Sequence, residues 1–216
     1  MKYTILDIET TGIPPKGANY ETDYKQFPYI LSLAWKCVKD GAESETFSYV
    51  INNPGVIVTP EITKINGITQ EMCDASKWDI FTVLVQFMMD ADQSDFIIGH
   101  NIYFDTSILK ANVMRIISGG KTPMDMFNKI SEILHKDKRI DTMRAGTKLC
   151  GKWPKLTELH HKLFGKPFEG AHTAAGDVDA CYACFQELLR QGLVKVNLPE
   201  KVLVEVAQAV VLEEET

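Results

Sequence analysis

Apolar and polar residues alternate at the start of the chain, where Tyr3, Ile5, Asp7 and Glu9 occupy every second position. That is the period of a strand whose alternate side chains leave one face. The same texture returns over residues 30–38 and 45–51, with Lys39-Asp40-Gly41-Ala42 supplying the turn between them. A meander of three strands is the natural reading. Residues 13–29 hold Pro14, Pro15, Gly17 and Pro28 and few apolar positions, so they read as a long loop placed to line or cover a site. Helical spacing follows. Thr59-Pro60 opens a short helix ending near Asn66-Gly67, Thr69 opens another short element, and Phe81, Leu84, Val85, Met88 and Met89 mark a helix over 79–90. Residues 96–98 form a short buried strand, and Ile108, Leu109, Val113, Ile116 and Ile117 give the next helix an apolar face ending at Gly119-Gly120. Leu156, Leu159, Leu163 and Phe164 make another amphipathic helix, closed by Gly165 and Pro167, and a last one runs over 181–190.

Strands that form a meander and then alternate with helices predict an α/β domain. With 216 residues and 45% hydrophobic content the chain can bury one core, so one domain is expected over 1–192. Residues 193–216 form a tail, with an apolar stretch over 202–212 and an acidic Glu213-Glu214-Glu215 end. It is expected as a helix packed on the domain or offered to a partner. No basic segment followed by an apolar run opens the chain, and no apolar run reaches membrane-spanning length. A soluble, cytoplasmic protein is expected, and five cysteines without a disulfide-like framework agree with a reducing compartment.

A net charge of −6 argues at first against a nucleic-acid partner. The distribution changes that picture. Residues 136–166 hold nine basic residues against three acids, a local +6 that leaves −12 for the rest. Such a strip beside an acidic pocket can guide a polyanion, although a solvated lysine-rich surface reads the same way.

The candidate chemistry begins at Asp7 and Glu9. Two carboxylates side by side on a rigid strand repel unless cations sit between them, as a two-metal phosphodiester site requires; the plain alternative is an edge strand with a solvated acidic end. Thr10-Thr11-Gly12 then turns the chain where its backbone can approach a ligand. Asp105 follows a short strand and precedes a helix, which suits an N-cap equally well as a ligand over the strand ends. Asp141, in a similar setting, is explained fully as a cap for the helix starting at Met143. His160 and His161 point about 100° apart on their helix and are read as surface or packing residues. His172 and Asp177 are five apart, so one of them lies on the loop before the last helix, where they can serve as base and metal ligand over one pocket. Cys181-Tyr-Ala-Cys184 has a C-x-x-C spelling but lies in an apolar helical face and is read as packing.

Asp7-Ile-Glu9-Thr-Thr-Gly12, Ile65-Asn-Gly67-Ile68-Thr, Gly99-His100-Asn101-Ile-Tyr-Phe104-Asp105 and His172-x-x-x-x-Asp177 occur in an order that resembles the DEDDh 3′→5′ exonucleases. That family includes polymerase proofreading subunits, ribonuclease T and oligoribonucleases. The likeness spans roughly residues 1–191 and departs from the family pattern at three places. Asn66 stands where many members have histidine, Ala175 where leucine is usual, and Val178 where alanine is usual.

The resemblance implies a ribonuclease H-like fold, a five-stranded mixed sheet flanked by helices. It also implies that Asp7, Glu9, Asp105 and Asp177 hold two divalent cations, Mg²⁺ or Mn²⁺, with His172 as general base. Thr10, Thr11, Gly12, Ile13 and Ile68 would hold the 3′-terminal nucleotide, with Asn101 and Phe104 supporting that pocket. The activity implied is removal of nucleoside 5′-monophosphates from 3′ ends of single-stranded or frayed nucleic acid, DNA slightly favoured, with a separate polymerase as partner in any proofreading role. Alternatives are an RNA 3′-trimming enzyme, a phosphoesterase of small nucleotides, and a non-catalytic polymerase-accessory module that kept the fold. Broken acidic sets are expected of the last, whereas this chain keeps all four acids and the histidine.

Overall fold

The computed structural model describes residues 1–120 and 124–194; the tail expected beyond, with its apolar stretch over 202–212, lies outside the described residues. Strand β1 (Lys2–Thr10) pairs antiparallel with β2 (Ile30–Lys39), which pairs in turn with β3 (Ala42–Glu43) and β4 (Phe47–Val50). Three helices follow: α1 (Pro60–Asn66), α2 (Gln70–Ala75) and α3 (Ile80–Ala91). The chain then alternates through β5 (Phe96–Gly99), α4 (Ile102–Ser118), α5 (Asp125–Ile133), β6 (Arg139–Asp141), α6 (Thr142–Cys150), α7 (Leu156–Phe164) and α8 (Ala174–Arg190). Strands β5 and β6 run parallel to β1, and the sheet order is β3-β2-β1-β5-β6 with β4 also on β2. The mixed sheet therefore has six strands where five were expected. The turn after β2 closes into a two-residue hairpin arm in which Lys39 faces Ala42 and Val38 faces Glu43.

Side-chain alternation along β1 divides the core in two. Leu6 and Ile8 point to a cluster built with α3, α4 and α5, which includes Val83, Leu84, Phe87, Ile108 and Leu109. Tyr3 and Ile5 point the other way, to Val178, Cys181, Phe185 and Leu188 of α8. Each such fully buried side chain is worth roughly 1.5–3 kcal/mol, and the strand is held rigidly from both sides. Asp7 and Glu9 continue the series of Tyr3 and Ile5, so they emerge on the α8 face just where the apolar residues stop. Cys181 and Cys184 are buried in that core and the cysteines are free thiols, as a packing role requires.

Helix starts are set by side chains the sequence announces. Thr59 accepts the Ile62 N–H with Pro60 next in line, Thr69 accepts the Met72 N–H, and Asp79 accepts those of Phe81 and Thr82. Helix α5 was not foreseen, although its buried residues Met126, Ile130 and Ile133 keep helical spacing over nine residues. No described helix is long and apolar enough to cross a membrane.

Candidate active site

The three parallel strands β1, β5 and β6 end toward the same edge of the sheet, at Thr10, Gly99 and Asp141, with β1 running on past the other two, and the site lies at that edge. Strand β1 supplies Asp7 and Glu9. Helix α8 packs across the same face and brings Asp177, in its first turn, over them. One carboxylate oxygen from each of Asp7, Glu9 and Asp177 lies within 4.8 Å of the others. Asp105 comes from the opposite layer, in the first turn of α4; it is 4% exposed and stands outside that tight trio. Its carboxylate takes the backbone N–H of Ile8, and its charge acts on Asp7.

Burial and mutual repulsion oppose the ionisation of these acids. Burial first, then the charges of Asp105, Asp177 and Glu9, push Asp7 well above the usual carboxylate range. Burial and Asp177 raise Glu9 to about 7, against a hydrogen bond from the Asn66 side chain that favours the charged form. Burial raises Asp105 to about 8 despite the Ile8 N–H, with Asp141 and Glu9 adding to it. Asp177 is raised by burial and held back by the backbone and charge of His172. A crowded set of hard oxygen donors that resist ionising together is what divalent cations of the Mg²⁺ or Mn²⁺ kind fit.

The sequence places Asp105 as an N-cap or a ligand, and the structure removes the first role. Asn101 occupies the cap position, in the left-handed region at φ 64°, and Asp105 sits a full turn inside the helix. Asp141 is the cap it was read to be. Its Oδ1 accepts the N–H groups of Met143 at 3.0 Å and Arg144 at 3.4 Å, and also that of Asn101 at 3.0 Å. His160 is buried against Phe164 and Phe168, with Nδ1 on the Lys166 carbonyl, a packing role.

His172 is exposed on the loop before α8, at φ 68°, a conformation non-glycine residues hold only when their surroundings impose it. The surroundings are specific. Thr173 caps α8 by accepting the Gly176 N–H and donates its hydroxyl to the Gly170 carbonyl at 2.7 Å. Gly176 lies so close beneath that a Cβ there would stand 2.3 Å from the Gly170 oxygen. Only glycine lets the loop fold onto the helix just ahead of Asp177.

On the β2 side of the acids is a cleft of about 460 Å³ lined by Glu9, Ser32, Ser48, Val50, Asn66, Ile68 and Met72 among others. Ile68 thus reaches the cleft, although it is only 5% exposed, whereas Ile13 is 82% exposed and is not part of the lining. Thr11 pins the turn after β1: its N–H donates to the Tyr29 carbonyl and its Oγ1 accepts the Tyr29 N–H. Thr10 donates to the Gly12 carbonyl at 2.6 Å, so the turn is braced from within. The loop over 13–29 is tied down at its far end, where Arg115 donates to the carbonyls of Phe27 and Pro28. Phe104 is half-buried against the α4 core, and Asn101 is exposed.

Asn66 is the residue that sequence reasoning undervalued. It is 4% exposed, accepts the Ile68 N–H at 3.0 Å through Oδ1, and hydrogen-bonds Glu9 through the same side chain. Its place within Ile65-Asn66-Gly67-Ile68 was a usable signal.

The RNase_T family of exonucleases matches residues 4–185. The chain belongs to that family. A curated relative, the PolC-type DNA polymerase III of Clostridium perfringens (strain 13 / Type A), is 29% identical over 161 residues, 74% of this chain but 10% of the relative. The chain therefore spans only about a tenth of that protein's length. Among solved structures, a product-bound exonuclease I superposes with TM-score 0.61 at 15% identity, covering 88% of this chain and 43% of that one. A 3′-exonuclease that recognises a histone mRNA stem-loop gives 0.62 at 15% identity, covering 92% and 72%. Exonuclease X in complex with 5′-overhanging duplex DNA gives 0.51 at 16% identity, covering 89% and 94%. These neighbours share the ribonuclease H-like exonuclease fold with the exonuclease-family chain, in agreement with the DEDDh resemblance.

Proposed function

We propose that this exonuclease-family chain is a metal-dependent 3′→5′ exonuclease that releases nucleoside 5′-monophosphates from single-stranded or frayed 3′ ends. The observation that carries the reading is the trio of carboxylate oxygens within 4.8 Å of one another, drawn from two segments 168 or more residues apart. Asp7, Glu9, Asp105 and Asp177 would hold two Mg²⁺ or Mn²⁺ ions. When bound, such ions supply a hydroxide from coordinated water and offset negative charge on the reacting phosphoryl group.

The chain's own groups do the rest. The Asn66 amide orients Glu9, and the His172 backbone fixes Asp177. The His172 imidazole, exposed on its loop, takes the proton from the attacking water and passes it to solvent. Ile68 offers the terminal base an apolar surface that stacks without reading sequence, with the Thr10–Gly12 backbone opposite. DNA is favoured slightly, on the likeness to a DNA polymerase of the PolC type. RNA trimming is the second reading, supported by the likeness to a 3′-exonuclease that recognises a histone mRNA stem-loop. A separate polymerase is the partner in a proofreading role, and a reducing cytoplasm suits the free cysteines.

The test is to incubate the protein with matched 5′-labelled DNA and RNA strands in Mg²⁺, Mn²⁺ or EDTA. A ladder shortening stepwise from the 3′ end, abolished by EDTA and by Asp7→Ala, is expected. Cleavage that survives EDTA would refute the metal role, and faster loss of the RNA strand would reverse the substrate preference.

A further inference from the structure

A second hollow lies across the sheet from the Ile68 cleft, with the acids between them in strand order, and its chemistry is different. It is an open hollow of about 820 Å³, solvent-facing space included, lined by Ile102, Tyr103, Lys136, Arg139, Asp141 and Arg144. The sheet order fixes its position. The Ile68 cleft lies over β2 and β4, the acids lie at the end of β1, and this groove lies beyond β5, at the end of β6. It begins within one helical turn of Asp105, because Ile102 and Tyr103 open the helix that carries Asp105.

We propose that this groove is the track for the strand on the 5′ side of the cleaved bond, binding upstream phosphates and one unstacked base; the proposal rests on the exonuclease reading above. Three observations support it. A terminal nucleotide held in the Ile68 cleft puts its phosphodiester at the acids, so the chain it is cut from must leave on the other side. Three of the six lining residues are cations, and among the described residues Lys136 makes no ion pair. Tyr103 lines the same hollow and is 61% exposed, between a buried Ile102 and a half-buried Phe104. Cations in a groove with an exposed aromatic platform form the usual combination for single strands. Arg139 is preset: Nε and Nη2 donate to the Leu134 carbonyl at 3.0 and 2.7 Å, which fixes the guanidinium at the groove wall. Asp141 offsets one of these cations in part: its Oδ1 accepts three backbone N–H groups, and its Oδ2 lies 3.6 Å from Arg144 Nε, which leaves Lys136 and Arg139 without a carboxylate partner among the described residues.

The groove also accounts for how an acidic protein handles a polyanion. Lys136, Arg139 and Arg144 belong to the +6 segment over 136–166, so the positive strip foreseen in the sequence meets the site at this edge.

The experiment compares wild type with Tyr103→Ala and with Lys136→Ala/Arg144→Ala. Lys136 and Arg144 are exposed, and circular dichroism checks that each variant is folded. Hydrolysis is followed in Mn²⁺ on 5′-labelled single strands of 3, 6 and 12 nucleotides, so that the shortest ends near the acids and the longest extends well past them. Binding of the 12-mer is measured separately by fluorescence anisotropy in EDTA over a salt series. Wild type should gain in kcat/KM with length, and the double variant should lose most of that gain through a KM about tenfold higher on the 12-mer. Its salt slope should fall by about 1.4, the value for two single-strand phosphate contacts. Tyr103→Ala should raise KM about fivefold with an unchanged salt slope, as lost stacking predicts. Variants with the length dependence and salt slope of wild type would overturn the proposal, as would displacement of the 12-mer by an acidic decapeptide as effectively as by unlabelled strand. If wild type cuts nothing, the exonuclease reading has failed, and the anisotropy series still decides the groove.

Discussion

Asp105 and Asp141 sit in comparable surroundings: each lies near the junction between a short strand of the parallel set and the helix that follows it. Their roles diverge because of where each falls relative to the first helical residue. Asp141 is the cap itself, and three backbone N–H groups converge on its Oδ1. Asp105 is four residues past the cap Asn101, where the helix satisfies its own backbone. It is left buried with few donors, and its pKa rises to about 8. An acid that helps a helix start is a stability device, whereas one displaced by a turn into the interior has no structural reason to be charged. The comparison suggests that the second was placed for something that binds.

The sharpest way to break this contrast is to neutralise Asp105. Asp105→Asn should lower exonuclease activity by about a thousandfold or more, as loss of a ligand worth several kcal/mol implies. The same substitution should leave the metal-free protein at least as stable at pH 8, because it removes a carboxyl that ionises there only against burial. Steady-state rates and thermal melts in EDTA check the two halves. A stability loss as large as that of a missing cap would return Asp105 to a structural role.

Next in size is Gly176→Ala. The added Cβ would meet the Gly170 oxygen at 2.3 Å, so the loop holding His172 must move away from the helix holding Asp177. A shift near 1 Å in such a pair should cost roughly 100-fold in rate, with about 1–3 kcal/mol of stability lost to overpacking. Gly119→Ala is the control, since a Cβ there meets nothing nearer than 3.4 Å and its φ is −79°. Equal rates for the two variants would show that the His172 loop needs no close approach.

How much of this was readable beforehand depends on whether a role is local. The β1 alternation, the caps Thr59, Thr69, Asp79 and Asp141, and the helix-ending glycines were legible because each acts within a few residues of itself. The convergence of Asp7, Glu9 and Asp177 was legible only through motif order, because nothing near residue 7 hints at residue 177. Helix α5 was missed because three buried positions in nine residues, preceded by a Gly-Gly stop, give too short a signal. Asn66 was read as a departure from a pattern. Its hold on Glu9 depends on α1 packing beside β1, which no local period encodes. The groove at Tyr103 joins residues from α4, β6, α6 and the segment just before β6, and is visible only once β6 lies beside β5.

Asn66 gives an intermediate effect. Asn66→Ala deletes the bond to Glu9 and leaves the buried Ile68 N–H without its acceptor. The expected outcomes are about 1–3 kcal/mol of destabilisation and a several-fold higher Mn²⁺ concentration for half-maximal activity at pH 7, because Glu9, already near 7, would ionise less readily. Asn66→Asp keeps the acceptor for Ile68 and adds a charge beside Glu9, so it should recover stability at pH 5 and lose it at pH 8. A metal titration unchanged in Asn66→Ala would detach Asn66 from the site.

The smallest expected effect is a drift of stability with pH. Glu9 and Asp105 have folded-state pKa values of about 7 and about 8, above those of carboxyls in an unfolded chain, so the folded state binds more protons through the intervening range. Their contribution is complete below about pH 4 and is lost as pH rises through 7 to 8. Carboxylates shifted the other way, such as Asp79, act only in acid and do not enter that window. The metal-free protein should therefore melt a few degrees lower at pH 8.5 than at pH 5.5 from this source. Mn²⁺ should raise the melting temperature more at pH 8.5, where it meets ionised ligands without displacing protons. Asp141 separates this electrostatic effect from capping. Asp141→Asn keeps a side chain that caps about equally well but removes a charge acting on Asp105, so it should flatten the pH dependence with little loss of stability. Asp141→Ala should flatten it equally and lose a further ~1 kcal/mol at every pH. If both variants kept the wild-type pH dependence, the charge at Asp141 would have no hold on Asp105, and the two acids would differ by burial alone.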